Sequence, residues 1–556
     1  VKLDRRTFVG TLATTLGLGS GAAGAESTSR SGSRHPWPTH GGSNRRTSYR
    51  PDLSPPMQDL NVEWETPIGT PGNQSEDHRE PIVTENYVVA PGFSKADSGN
   101  EPVVVSALDR EDGSTAWTAR DASEGDNVST IETLGQTVVD DTVYVTRTTY
   151  TFMPSVYAGA SVYAVDLSDG RIKWSASGDS QEAPFAGAPL VYDTEQGDRR
   201  SEPPDKVIIG QSYPFDGPLL AFNRNDGSRV WNSKEQPGGK GYAATSSPAL
   251  GQDKAYIGSW NRGVLQFNPN SMNTPTGGVN VAPFSSDRSS VSLRVSVTPS
   301  QEPDDPTEIV DADGTIVANR SDVVRAYFVA DPDGTGDPFT RRWEFDLHDN
   351  DILSVWEGEH SVLNGDPIQT KNRVVVPVAS EAGVTGRLLC FGKREGELQW
   401  KTDFEQAVWC ASADRFFVYA CTGRKLVVAD LRTGTVQSEV ELGKLGIRGP
   451  VLTDEGLYVL ASDERKLDSD HYVLKVSGTR TEMTTRTTTT ATTTRQTTDG
   501  TTTVETTSEK PTLTSNEDDE SATGVPGFGI GTGALATGVG LATAWYRSRT
   551  NGDDEE

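Results

Sequence analysis

The segment Asp331-Pro332-Asp333-Gly334-Thr335-Gly336-Asp337 sets three carboxylates on a Gly-rich stretch, an oxygen-donor pattern that suits calcium. It lacks the length and the closing Glu of an EF-hand loop, and a hairpin turn ahead of Trp343 accounts for the same residues. No metal site is therefore expected, and Asp331, Asp333 and Asp337 stay only as weak candidates. The runs Glu302–Asp305 and Asp311–Asp313 read as solvated acidic loop. Six His are scattered; His35 and His40 flank Trp37, and no pair has zinc-protease spacing. Ser246-Ser247-Pro248 and Gly41-Gly42-Ser43 lack the strand-to-helix context of a nucleophile elbow, and no phosphate-binding Gly loop exists. Cys390, Cys410 and Cys421 have no metal-ligand spacing. Cys390 falls within a strand, Cys410 and Cys421 flank a hairpin, and all three read as small buried residues, with a disulfide between any two left open. No catalytic residue is assigned.

The elements that would position any such group come from a repeat. VSALDREDGSTAW at Val105–Trp117 returns as VYAVDLSDGRIKW at Val162–Trp174, LLAFNRNDGSRVW at Leu219–Trp231 and LLCFGKREGELQW at Leu388–Trp400. A worn copy without Trp, LVVADLRTGTVQS, stands at Leu426–Ser438. Each copy is an apolar strand, a polar turn ending in Gly, and a second strand with Trp four residues after the Gly. Further strand-like runs precede each phrase, as at Thr137–Val139, Thr142–Thr146, Val207–Gly210, Lys254–Gly258 and Arg373–Val378. Four strands per unit is the content of a propeller blade. Successive glycines lie 57 residues apart from Gly113 to Gly170 and from Gly170 to Gly227, but 38 from Gly396 to Gly434, as short blades with variable loops would give.

Units are read at 80–120, 130–177, 186–234, 244–284, 290–347, 361–403, 408–442 and 449–478. Eight blades is the count, with seven as the alternative, because the fourth and fifth units are degraded. The acidic stretch Phe284–Asp322 is either blade or inserted loop. The last unit lacks an outer strand, which Val62-Glu63-Trp64-Glu65 would supply, closing the ring and removing its exposed edges.

The phrase resembles the quinoprotein (PQQ) repeat, and the stretch WPTHGGSNRRTSY at Trp37–Tyr49 resembles the lead-in of such proteins; the likeness runs from about Trp37 to Gly478. The resemblance implies an all-β, PQQ-like β-propeller in which Trp117, Trp174, Trp231, Trp400 and, in a diverged unit, Trp343 dock each blade on its neighbour. Quinoprotein dehydrogenases of this type add two adjacent cysteines, a calcium held by Glu and Asn, and a catalytic Asp. This chain has no Cys-Cys pair, and no position matches the rest. The expectation is thus a binding or scaffold module without cofactor, as in the propeller lipoprotein of the bacterial outer-membrane assembly machine, which it also resembles. The alternatives are a dehydrogenase using PQQ and calcium, and a structural cell-envelope protein.

Both ends read as addresses. Arg5-Arg6 ahead of a mildly apolar run to Ala25 is the pattern of a twin-arginine signal over 1–25, handled by the twin-arginine translocase. The lead-in then covers 26–58 and the propeller 59–478. Residues 479–523 are a Thr-rich stalk with too little apolar surface to fold, and a candidate for O-glycosylation. Next come Pro526-Gly527-Phe528 and an apolar run within 524–546, then a charged tail, 547–556, opening on Arg547 and Arg549. The run is just long enough to span a bilayer. Together these resemble the PGF-CTERM tail of archaeal surface proteins, which implies cleavage by an archaeosortase and a lipid attachment; an ordinary C-terminal membrane helix is the alternative. Either places the propeller on the outer cell surface, anchored at its C-terminus. Asn73, Asn127 and Asn319 open sequons and are candidate loop sites for N-glycans.

Composition agrees with that setting. The chain carries 79 acidic against 51 basic residues, for a net charge of -28, and Arg outnumbers Lys by more than two to one. Such charge stays soluble where salt screens it, as outside a halophilic archaeon, and it has the wrong sign for nucleic acid. The expected partner is an envelope protein or glycan.

Overall fold

The computed structural model describes residues 35–43, 46–70, 80–95, 103–121, 128–151, 157–178, 185–192, 205–211, 218–235, 244, 246–250, 254–259, 263–269, 279–282, 294–298, 315–320, 323–328, 341–346, 361–363, 366–380, 385–464 and 469–480. Their strands form eight sheets, every pair within them antiparallel. Counted in chain order, the first seven sheets end at residues 120, 177, 232, 282, 346, 404 and 441. The eighth joins Leu445–Leu452, Leu457–Ser462 and His471–Thr479 to Gln58–Gly69 from the other end of the propeller. The register sets Val62 opposite Val476 and Glu65 opposite Leu474, so the strand expected to close the ring pairs as the missing outer strand. The stretch Phe284–Asp322 is no mere insertion: Arg294–Thr298 and Thr315–Arg320 are paired strands of the fifth sheet.

Burial follows from face-to-face stacking of sheets, which hides both faces of the middle strands. Gly386–Gly392 and Phe417–Thr422 are buried at every position. The outermost strands alternate instead, as Val436–Glu441 does, because only one of their faces meets a neighbour. A continuous apolar run and an alternating one thus belong to different depths of the same blade.

The repeated Gly and Trp meet between sheets. The indole N–H of Trp117 donates to the Leu167 carbonyl of the second sheet's turn at 2.9 Å, and Trp174 to Arg224 of the third at 3.0 Å. Trp343 reaches Lys393 at 2.8 Å and Trp400 reaches Leu431 at 3.0 Å. Each acceptor lies three residues before the turn Gly. At Gly170, φ is +75° and a Cβ would stand 2.6 Å from Cε3 of Trp117, so the turn needs Gly both for its backbone and for the ring against it. Trp231 is 3 % exposed and meets Phe267 of the fourth sheet edge-on at 6.2 Å. Trp64, outside every copy of the phrase, does the same work from the closing strand: its ring covers Gly113, and Thr66 Oγ1 donates to the Gly113 carbonyl at 2.7 Å. Trp400 and Thr402 repeat that pair on Gly434. In the worn copy Ser438 replaces Trp and donates to the Met57 carbonyl.

Candidate functional site

The lead-in threads the centre of the ring. Trp37 exchanges two backbone hydrogen bonds of 3.0 Å with Val83 of the first sheet, and Pro38 accepts from Val138 of the second at 2.7 Å. The Arg46 guanidinium donates to the carbonyls of Pro189 and Pro248, just ahead of the first strands of the third and fourth sheets, at 3.2 and 3.1 Å. Gln369 of the sixth sheet donates to the Thr47 carbonyl at 2.9 Å, and Ala413 of the seventh to Ser48 at 2.8 Å. One segment of some fourteen residues therefore touches the innermost strands of six of the eight sheets or the residues just ahead of them, which only a plug on the axis can do.

Its backbone is bent to that task. Gly41 and Gly42 have φ of +69° and +75°, and Arg46 and Ser48 sit at +58° and +50°, a region that non-Gly residues enter only when surroundings hold them there. Gly42 lies against the Trp37 ring, and Trp37 itself is fully buried.

The polar heart of the plug is His40 with Arg46. His40 Nδ1 stands 2.8 Å from Glu80 Oε2 and Nε2 stands 2.5 Å from Asp366 Oδ2. The Gly41 N–H donates to the same Glu80 oxygen at 3.0 Å. Arg46 donates further to the His40 carbonyl at 2.9 Å and to Thr39 Oγ1. Burial alone would push the His40 pKa down; the Asp366 and Glu80 carboxylates outweigh it and raise the value to about 9, so the ring is a cation at neutral pH. Burial likewise draws Arg46 down to about 10, against the pull of Asp366 and Glu80, and it stays charged. Two cations and two carboxylates thus balance inside the ring. A pocket opens beside them, lined by His40, Ser48, Asp366, Trp409, Cys410 and Arg448 among others.

Sequence reasoning singled out His40 only as a neighbour of Trp37 and did not find Arg46, Glu80 or Asp366. These four are brought together by closure of the ring, and no spacing in the chain announces it. Of the residues named from sequence, Trp117, Trp174, Trp231, Trp343 and Trp400 line the joints between sheets and none enters the axial pocket. Asn319 lies within the strand Thr315–Arg320, opposite Arg294 and Val324, and not in the loop expected for a glycan acceptor. Asp331, Asp333, Asp337, Asn73, Asn127, Arg5, Arg6, Pro526, Gly527 and Phe528 lie outside the described residues. Among the described residues no helix is long and apolar enough to cross a membrane, and no group of three or more His, Cys, Asp or Glu side chains is placed to hold a metal ion.

The repeats have relatives. A family model described as outer membrane protein assembly factor BamB matches over residues 58–182, 104–271 and 149–320. No curated protein matches the sequence. Among solved structures, the quinohemoprotein alcohol dehydrogenase ADHIIG of Pseudomonas putida HK5 is similar, at 14% identity over 83% of each chain with a TM-score of 0.53. The quinohemoprotein alcohol dehydrogenase of Comamonas testosteroni is similar at 14% identity over 81% of each chain, TM-score 0.52. A europium-containing methanol dehydrogenase is 13% identical over 80% of this chain and 99% of its own, TM-score 0.51. At such identity the likeness speaks for the fold. The chain is an all-β propeller of PQQ-type repeats, closed by a strand from its N-terminal side.

Proposed function

We propose that this chain is an exported, surface-anchored propeller of eight blades that binds an envelope protein or a glycan through its outer loops. Its axis serves stability and is not a cofactor chamber. The observation that supports the reading is the plug: residues 37–43 and 46–50 lie at the centre, and His40 and Arg46 are balanced there by Glu80 and Asp366. The twin-arginine pair Arg5-Arg6 and the Pro526-Gly527-Phe528 tail support export and C-terminal anchoring, with the twin-arginine translocase and an archaeosortase-type enzyme as partners in biogenesis. The net charge of -28 supports a saline exterior and argues against nucleic acid.

A dehydrogenase using PQQ and calcium is the second reading, favoured by the names of the similar solved structures. The axial residues do not fit that group. PQQ is a tricarboxylate, and here Glu80 and Asp366 face the axis, His40 and Arg46 are already neutralised by them, and Arg448 alone among the described residues adds further positive charge to the pocket's lining. No step is derived through it. A third reading, a purely structural envelope protein, differs in what it would touch.

Crosslinking of intact cells in molar salt, followed by enrichment of the full chain, separates these. Binding through the loops predicts one recurring adduct to a different envelope protein or glycan, with crosslinks in the loops between sheets. A ladder of the chain with itself alone would replace the proposal by the structural reading.

A further inference from the structure

The odd cysteine count resolves into a pair and a singleton. Cys410 on Val408–Ala413 and Cys421 on Phe417–Thr422 are direct register partners in the seventh sheet. Opposed residues of antiparallel strands have Cα atoms about 4.5 to 5.5 Å apart and side chains on one face, within the span of a disulfide. Both thiols are free in this structure and belong to one core cluster, and the two side chains are joined by a hydrogen bond. Gly446 of the eighth sheet leaves room over the pair: a Cβ there would stand 3.0 Å from Cys421 Sγ. Cys390 lies in the sixth sheet opposite Val375 and Trp400, with no cysteine across from it.

We propose that Cys410 and Cys421 are a redox pair that closes to a cross-strand disulfide by exchange with an external disulfide. Cys410 lines the axial pocket and keeps 8 % of its surface exposed, while Cys421 is fully buried, so exchange begins at Cys410. The Cys410 thiolate attacks one sulfur of R–S–S–R, forming a mixed disulfide and releasing one RSH. The Cys421 thiol, losing its proton, attacks the Cys410 sulfur and releases the second RSH. Two thiols are oxidised and one external disulfide is reduced to two thiols. The hydrogen bond to Cys410 and, after it, burial push the Cys421 thiol well above its usual range, which makes the second step the slow one. The bond would staple the strand that holds Ser48 and Arg50, and with them the wall of the plug, to its neighbour.

The test is thiol counting on the folded full chain in molar salt, equilibrated with mixtures of reduced and oxidised glutathione, quenched by alkylation and mapped by mass spectrometry. The proposal predicts a fall from three free thiols to one, with Cys410 linked to Cys421 and Cys390 alkylated. Cys421→Ser should accumulate one glutathione on Cys410; should that variant not fold, Cys410→Ser should keep both remaining thiols free under the same oxidant. Three free thiols in folded wild-type chain at every ratio would overturn the proposal. So would a link through Cys390, or a link that appears only once the chain is unfolded.

Discussion

His40 is charged at neutral pH because two carboxylates face its ring nitrogens from opposite sides, Glu80 at one and Asp366 at the other. Its pKa is raised in the folded chain, from 6.5 to about 9, so the folded state binds this proton more tightly than the unfolded one. The stabilisation is therefore fully present below the unfolded value and is lost as pH rises through the folded one. At full strength it is on the order of 3 kcal/mol. Urea unfolding in molar salt should show stability falling by an amount of that order between about pH 6 and about pH 10, and His40→Gln should flatten most of that slope. An unchanged slope in His40→Gln would remove His40 from the account. None of this was legible in the chain. His40 was visible beside Trp37, but its partners Glu80 and Asp366 come from the approaches to the first and sixth sheets, and only the closed ring makes them neighbours.

The blade-to-blade joint is the element that sequence displayed most openly, because every copy keeps the Gly and all but the worn one keep the Trp at the same spacing. The physical reason is now explicit: the Gly supplies a positive φ and a bare surface, and the Trp of the preceding sheet lies on that surface and hydrogen-bonds the turn. Gly170→Ala should cost roughly 2 to 4 kcal/mol, from the strained φ plus a Cβ driven into the Trp117 ring. Gly443→Ala isolates the first contribution, since Gly443 has φ of +71° but nothing within 4 Å of a Cβ, and should cost only about 1 kcal/mol. Thermal unfolding of the two variants side by side measures the difference; equal losses would mean that the ring contact adds nothing. Where the pattern was broken, sequence reasoning was less complete. Trp64 was placed in the closing strand but not among the docking residues, since the turn it covers, at Gly113, lies beyond the closure and not in the next unit of the chain. The strands Arg294–Thr298 and Thr315–Arg320 were masked by acidic surroundings, because charge in the connections dilutes the apolar signal of short strands.

At the scale of the whole molecule, the ring and its closure followed from the repeat and from one strand-like run at each end, Val62–Glu65 and Tyr472–Val476, which pair as expected. What fills the ring did not follow, because a plug has no periodicity: it is irregular backbone whose shape is set by six sheets at once. On the proposed reading, the plug is what sets a binding platform apart from an enzyme built on the same fold. The most direct test is to equilibrate the full chain with PQQ and calcium in molar salt, dialyse it extensively, and record its absorbance together with dye-linked alcohol oxidation. A self-plugged propeller predicts a spectrum featureless beyond the Trp band and no oxidation. A retained quinone band with turnover would contradict the account and return the axis to chemistry.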